Sequence, residues 1–149
     1  MAARPRGGDW ITVEMETWHN QGVDTVVSLL EAGEEQELNL KAERAEAQAH
    51  GMDFRSLPIE DRQVPSSPGE FAVALEQIQR DLLAGKKVVL HCRQGIGRTG
   101  LVAACLLLLA GYEPTPAVAL LSEARGIPVP ETQDQRRWLD GYARLIRAA

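Results

Sequence analysis

One stretch of this chain, His91-Cys92-Arg93-Gln94-Gly95-Ile96-Gly97-Arg98-Thr99-Gly100, gathers the residue types that do chemistry. It lies between a short run rich in valine, Lys87–His91, and a nearly all-apolar run, Thr99–Ala110. A strand, a glycine-containing turn and a helix N-terminus together make an anion site. The amides of the turn and of the first helical turn lack intrahelical partners and can converge on one oxyanion. Gly95 and Gly97 permit the tight backbone, with Gly97 the candidate for positive φ. The run lacks the Gly-Lys-Ser/Thr ending of a nucleoside-triphosphate loop, and it is not a dinucleotide fingerprint.

A cysteine ends the strand, and an arginine follows after five intervening residues. Cys92 therefore sits at the floor of the amide cradle, where the helix dipole and the amides stabilise a thiolate. That makes it a candidate nucleophile. The planar fork of Arg98 can hold two phosphoryl oxygens and match the charge of a transferring group. Thr99 can donate its hydroxyl to the sulfur and make it a better leaving group. Side chains alternate on a strand, so His91 faces away from the pocket. Its expected role is to orient the loop backbone. Arg93 points outward toward substrate, and Gln94 and Ile96 flank the mouth. The plainer alternative is an inert phosphate- or sulfur-binding loop, since a cysteine after a strand is commonly core. Cys105, inside the apolar run, is read as core.

A leaving alkoxide or phenoxide needs a proton from a group on the opposite side of the phosphorus. No acid lies within the loop. Glu60-Asp61-Arg62 follows a strand and leads into the loop Glu60–Gly69, which holds Pro65, Ser66, Ser67 and Pro68. Glu60, Asp61 or neither can be the donor on this evidence. Asp53, at the other end of that strand, should be remote.

These groups are positioned by elements that the apolar pattern marks out. Strands are expected at Val23–Leu30, Phe54–Ile59 and Lys87–His91. Helices are expected around Thr12–Asn20 and over Glu31–His50, Phe71–Leu83, Thr99–Ala110, Thr115–Arg125 and Thr132–Arg147. Phe71, Leu75, Ile78 and Leu82 form one stripe. The acidic run Glu34, Glu35 and Glu37 reads as a solvated helix start. Thr132 is a plausible N-cap, with Gln135 at capping-box spacing. Strands alternating with helices predict an α/β fold: a central, mostly parallel sheet flanked by helices, with a helical C-terminal third. Two strands ending on the same side would bring the cysteine loop and the acid loop together.

The 149 residues suit one domain, 1–149, with 1–10 as a short N-terminal extension. Sixteen basic against 21 acidic residues, net -5, argue against a nucleic-acid or membrane-surface partner. Two cysteines exclude a disulfide scaffold and an all-cysteine zinc site, and no metal or cofactor is expected. The apolar run Leu101–Ala110 stops at Gly111, well short of the roughly 20 residues needed to span a bilayer. The N-terminus lacks a signal-peptide pattern, so a cytoplasmic location is the expectation.

The loop His91–Gly100, the helix Leu101–Leu109 behind it and the upstream Leu57-Pro58-Ile59-Glu60-Asp61-Arg62 segment resemble the cysteine-dependent protein tyrosine phosphatases. Within them the chain is most similar to the small dual-specificity group, near the kinase-associated phosphatases and their bacterial relatives. The likeness covers roughly Val23–Ala143. It implies a dual-specificity-phosphatase-like fold and a cysteinyl-phosphate intermediate. Arg93, Gln94, Gly95, Ile96, Gly97 and Arg98 would be the phosphate-binding loop. The likeness points to Asp61 as general acid, because the family places an aspartate after a Pro-Ile-x run. Glu131-Thr132-Gln133-Asp134-Gln135 resembles the family's glutamine loop, in which Gln135 would orient the hydrolytic water; a helix cap explains the run equally well. Glu131 stands where glutamine is common. No tyrosine-bearing insert deepens the pocket, so phosphotyrosine is the expected substrate, with phosphoserine or phosphothreonine as further candidates, carried by a phosphorylated protein or peptide. A monomer is favoured. Two rivals stand: a rhodanese-like sulfurtransferase, which would not require Asp61, and a non-catalytic phosphoprotein-binding module.

Overall fold

The computed structural model describes residues 1–148. Strands β1 (Thr25–Ser28), β2 (Asp53–Ser56) and β3 (Val88–His91) form a parallel sheet in the order β2-β1-β3. All three strands therefore end at the same edge. The central strand is buried on both faces, as its β-branched residues require. Val26 turns into one apolar cluster and Val27 into the other.

One face carries α1 (Ile11–Asn20) and α3 (Glu43–Ala49), whose Ile11, Met15 and Ala47 pack with Val26, Leu30 and Phe54. The other carries α4 (Pro68–Leu83), α5 (Gly97–Leu109), α6 (Pro114–Arg125) and α7 (Gln133–Ala148). There Phe71, Leu75 and Ile78 meet Leu90, Leu101 and Leu139. Full burial of each such side chain contributes about 1.5–3 kcal/mol. Helix α5 is buried on most sides, which is why its sequence is apolar nearly all round. The expected stripe on α4 holds except at Leu82, which is half exposed; Asp81 is buried instead and pairs with Arg55.

The single helix expected over Glu31–His50 is two. Helix α2 (Ala32–Glu37) ends at a turn with Asn39 at φ 55, and α3 begins after it. Leu40 is buried between them. A continuous helix would keep the alanine spacing but would not deliver Leu40 to the core beside Met15 and Val26. Asparagine tolerates the left-handed turn that does. Among the described residues no helix is long and apolar enough to cross a membrane, and no cluster of acidic, histidine or cysteine side chains could hold a metal ion.

Ala2 and Arg4, in the N-terminal segment, pack against β3 and the loop that follows it. The Ala2 N–H donates to Leu90 O at 2.8 Å beside β3, and the Arg4 guanidinium donates to Arg93 O at 2.9 Å.

Candidate active site

Each strand delivers one part of the site at its C-terminal end. Beyond β1 comes Glu34, beyond β2 comes Asp61, and beyond β3 comes the loop from Cys92 to Arg98. Cys92 is buried at the floor, and the Gly95 N–H points at its Sγ, 3.3 Å away. Three consecutive loop carbonyls are held from outside by arginines. Arg4 takes Arg93 O, and Arg125 on α6 takes Gln94 O at 2.7 Å and Gly95 O at 2.9 Å. A trans peptide sets each N–H opposite the preceding carbonyl. Outward carbonyls at 93, 94 and 95 therefore turn the N–H groups of 94, 95 and 96 inward, toward the sulfur and any anion above it.

The glycine that takes positive φ is Gly95, at 73°, not Gly97. A Cβ at Gly95 would also fall 2.4 Å from Ala2 O. Gly97 opens α5 and is required for space: a Cβ there would lie 2.9 Å from Glu131 Oε2 and 3.2 Å from Gln135 Oε1.

Arg98 is almost wholly buried and nearly every donor is engaged. Its Nη1 donates to Glu34 Oε1 at 2.6 Å and to Ile59 O at 2.8 Å, with Leu29 O at 3.5 Å. Its Nη2 donates to Glu34 Oε2 at 2.9 Å and to Asp61 Oδ1 at 3.1 Å. Asp61 is thus brought to the loop, as expected, and remains half exposed toward the cleft. Glu60 is exposed and does not line that cleft, so the structure separates the two candidate acids. The cleft, about 190 Å³, is lined by Asp61, Arg62 and Glu131 together with Cys92, Arg93, Gln94, Gly97 and Arg98 of the loop.

Residues 2–112 match the family described as polymorphic toxin system, DSP-PTPase phosphatase. The chain belongs to this family. It is 31% identical over 103 residues to cyclin-dependent kinase inhibitor 3 of Rattus norvegicus, covering 68% of this chain and 48% of that one. The chain spans about half, or less, of the length of the curated relatives it matches. The fold is similar to kinase-associated phosphatase carrying a catalytic cysteine-to-serine substitution, with TM-score 0.87 and 22% identity over 99% of this chain and 86% of that one. It is also similar to Tk-PTP in the active form, with TM-score 0.77 and 28% identity over 89% and 86%. The fold is that of the dual-specificity phosphatases.

Several side chains stand elsewhere than the sequence suggests. His91 does face away from the cleft, but it does not bind the loop backbone. Its Nε2 pairs with Glu43 Oε2 at 2.5 Å, both residues fully buried, and its ring lies 6.0 Å from that of Trp18. The loop backbone is held by Arg4 and Arg125 instead. Thr99 is buried below the loop, and its Oγ1 finds no partner among the described residues. Gln135 lies behind Gly97, fully buried, and forms the helix cap. Its Oε1 accepts from the N–H of Glu131 and of Thr132 at 3.1 and 3.2 Å, while its own N–H donates to Thr132 Oγ1 at 3.1 Å. Cys105 is core, and burial pushes its thiol far up.

The largest omission is Glu34, read above as part of a solvated helix start. Burial pulls its carboxyl upward, but hydrogen bonds from Arg98 and from the Glu31 N–H, with the Arg98 charge, outweigh that and hold it below the usual range. Its position was readable by the argument used for Asp61, as an acid shortly after a strand of a parallel sheet. The neighbouring Glu31, Glu35 and Glu37 hid it. Arg93 does not reach freely outward; it pairs with Glu37 at 2.9 Å and Glu34 at 3.5 Å.

Proposed function

We propose that this protein hydrolyses phosphate monoesters on a phosphorylated protein or peptide through a cysteinyl-phosphate intermediate. The observation that carries the reading is the convergence of Cys92, the inward Gly95 N–H, Arg98 and Asp61 on one cleft. In the first step the Cys92 thiolate attacks phosphorus; the S–P bond forms and the P–O bond to the leaving group breaks. Asp61 hands its proton to the departing oxygen. Arg98 and the loop amides hold the equatorial oxygens, where charge develops. In the second step water adds to phosphorus, the S–P bond breaks, and Asp61 takes the water's proton. The Thr99 hydroxyl, unpartnered beneath the loop, stabilises the sulfur as it leaves.

Charge at the mouth favours phosphoproteins over polyphosphorylated lipids. Three guanidiniums, of Arg62, Arg93 and Arg98, face four carboxylates, of Glu34, Glu37, Asp61 and Glu131, and each guanidinium is already paired. Among the described residues that line the cleft, no guanidinium is without a carboxylate partner to receive a second phosphate, and an unpaired phosphate charge there is costly. Rates should be compared for phosphotyrosine peptides, phosphothreonine peptides and soluble phosphoinositides at one ionic strength. A tenfold preference for a phosphoinositide, about 1.4 kcal/mol in the transition state, overturns the assignment. Transfer of sulfur from thiosulfate to cyanide, without phosphatase activity, would establish the sulfurtransferase instead.

A further inference from the structure

The loop that carries Asp61 is tied across the cleft at its next residue. Arg62 has φ 62, a left-handed backbone that side-chain-bearing residues seldom adopt, and such conformations persist only where neighbours hold them. Its guanidinium forms an ion pair with Glu131, in the turn before α7. Gln63, one residue further on, accepts from Gln135 Nε2 at 3.1 Å. Glu131 is itself well placed to hold something. Its N–H donates to Gln135, and its side chain lies in the space that Gly97 leaves open.

The third tether of the acid loop is the contact between Asp61 and Arg98, and it cannot last through the reaction. Glu34, Ile59 and Leu29 occupy the other Nη donors of Arg98, so a phosphoryl group held by two parallel hydrogen bonds must take the Nε–H, which has no partner among the described residues, together with the Nη2 hydrogen that meets Asp61. Substrate binding therefore releases Asp61 from Arg98 at the moment when the acid must be held over the leaving oxygen. The Arg62–Glu131 pair does not involve Arg98 and survives that exchange.

We infer that Arg62 and Glu131 form a latch that keeps Asp61 poised over the leaving group after substrate has displaced it from Arg98. The inference rests on the proposed role of Asp61. Both are positioning residues. The pair is partly exposed, so its weight lies in geometry and not in fold stability. The latch should matter in proportion to how much the leaving group needs a proton.

The test uses Arg62→Gln, Glu131→Gln and the double variant on two substrates. One is an activated aryl phosphate, which leaves with little protonation; the other is a phosphothreonine peptide, which needs the proton. Each single change should lower kcat for the peptide by about tenfold, the scale of a small misplacement, and leave the aryl phosphate nearly untouched. The double variant should lose no more than either single one, because the two residues act as one pair. Arg62→Lys, which keeps the charge, should recover most of the rate. In an Asp61→Asn background the same changes should be silent. Equal losses on both substrates, additive losses, no loss, no recovery with lysine, or losses that persist without Asp61 each overturn the latch. If Asp61→Asn alone costs nothing, the acid assignment falls first and the latch with it.

Discussion

Glu34 holds Arg98 through both carboxylate oxygens, at 2.6 and 2.9 Å, from the far side of the loop that Arg98 serves. The buried guanidinium is thereby fixed before substrate arrives, with both Nη atoms held by Glu34 and the Nε–H without a partner among the described residues. Burial pulls the Glu34 carboxyl upward, yet the Arg98 contacts bring it below the ordinary value of 4.5. A depressed folded pKa contributes stability that is present above the unfolded value and lost as pH falls through the folded one. Thermal melts of wild type and Glu34→Gln should therefore differ at pH 7 and converge as the pH drops below 4. A gap that stays constant over that range would contradict the pairing.

Arg125 should prove as important to the loop as residues inside it. It holds two successive carbonyls outward, and the inward amides depend on that orientation. Arg125→Met should weaken binding of an inert oxyanion such as tungstate and lower kcat/KM by about tenfold or more, in line with the loss of charge-assisted hydrogen bonds. The melting temperature should move little, since α6 has only Ala117 fully buried. Unchanged oxyanion affinity would show that the loop keeps its shape unaided.

Replacing Asp61 with asparagine removes a transferable proton and keeps the shape. Turnover of esters with poor leaving groups should fall by roughly 10²- to 10⁴-fold, the usual worth of acid–base catalysis. Activated aryl phosphates should lose less, and the basic limb of the pH–rate profile should flatten. An equal loss on every leaving group, or a larger effect from Glu60→Gln, would move the role elsewhere.

The sheet and the cysteine loop were legible because their signals are local. A β-branched run and a glycine-containing turn before an apolar helix say most of what β3 and α5 do. What escaped depends on contacts distant in sequence. The break at Asn39 follows from the demand of the core for Leu40, which helical periodicity alone does not express. Glu34 meets Arg98 across 64 positions, and Arg125 meets Gly95 across 30. Gly97 looked like a conformational glycine, but the constraint is steric, from Glu131 on a different segment. His91 faces away from the cleft, as strand alternation requires, but its expected partner was the loop backbone. Strand alternation sends it to the opposite layer, where Glu43 is its partner.

The most direct measurement is turnover and substrate binding by Cys92→Ser, with a phosphotyrosine peptide as substrate. Serine is nearly isosteric but stays protonated at neutral pH, so it cannot form the covalent intermediate, while the loop amides and Arg98 remain. The account predicts that turnover vanishes and that the peptide still binds with near wild-type affinity. Wild-type enzyme quenched during turnover should carry phosphate on Cys92. Turnover near the wild-type rate in Cys92→Ser would contradict the cysteine mechanism outright.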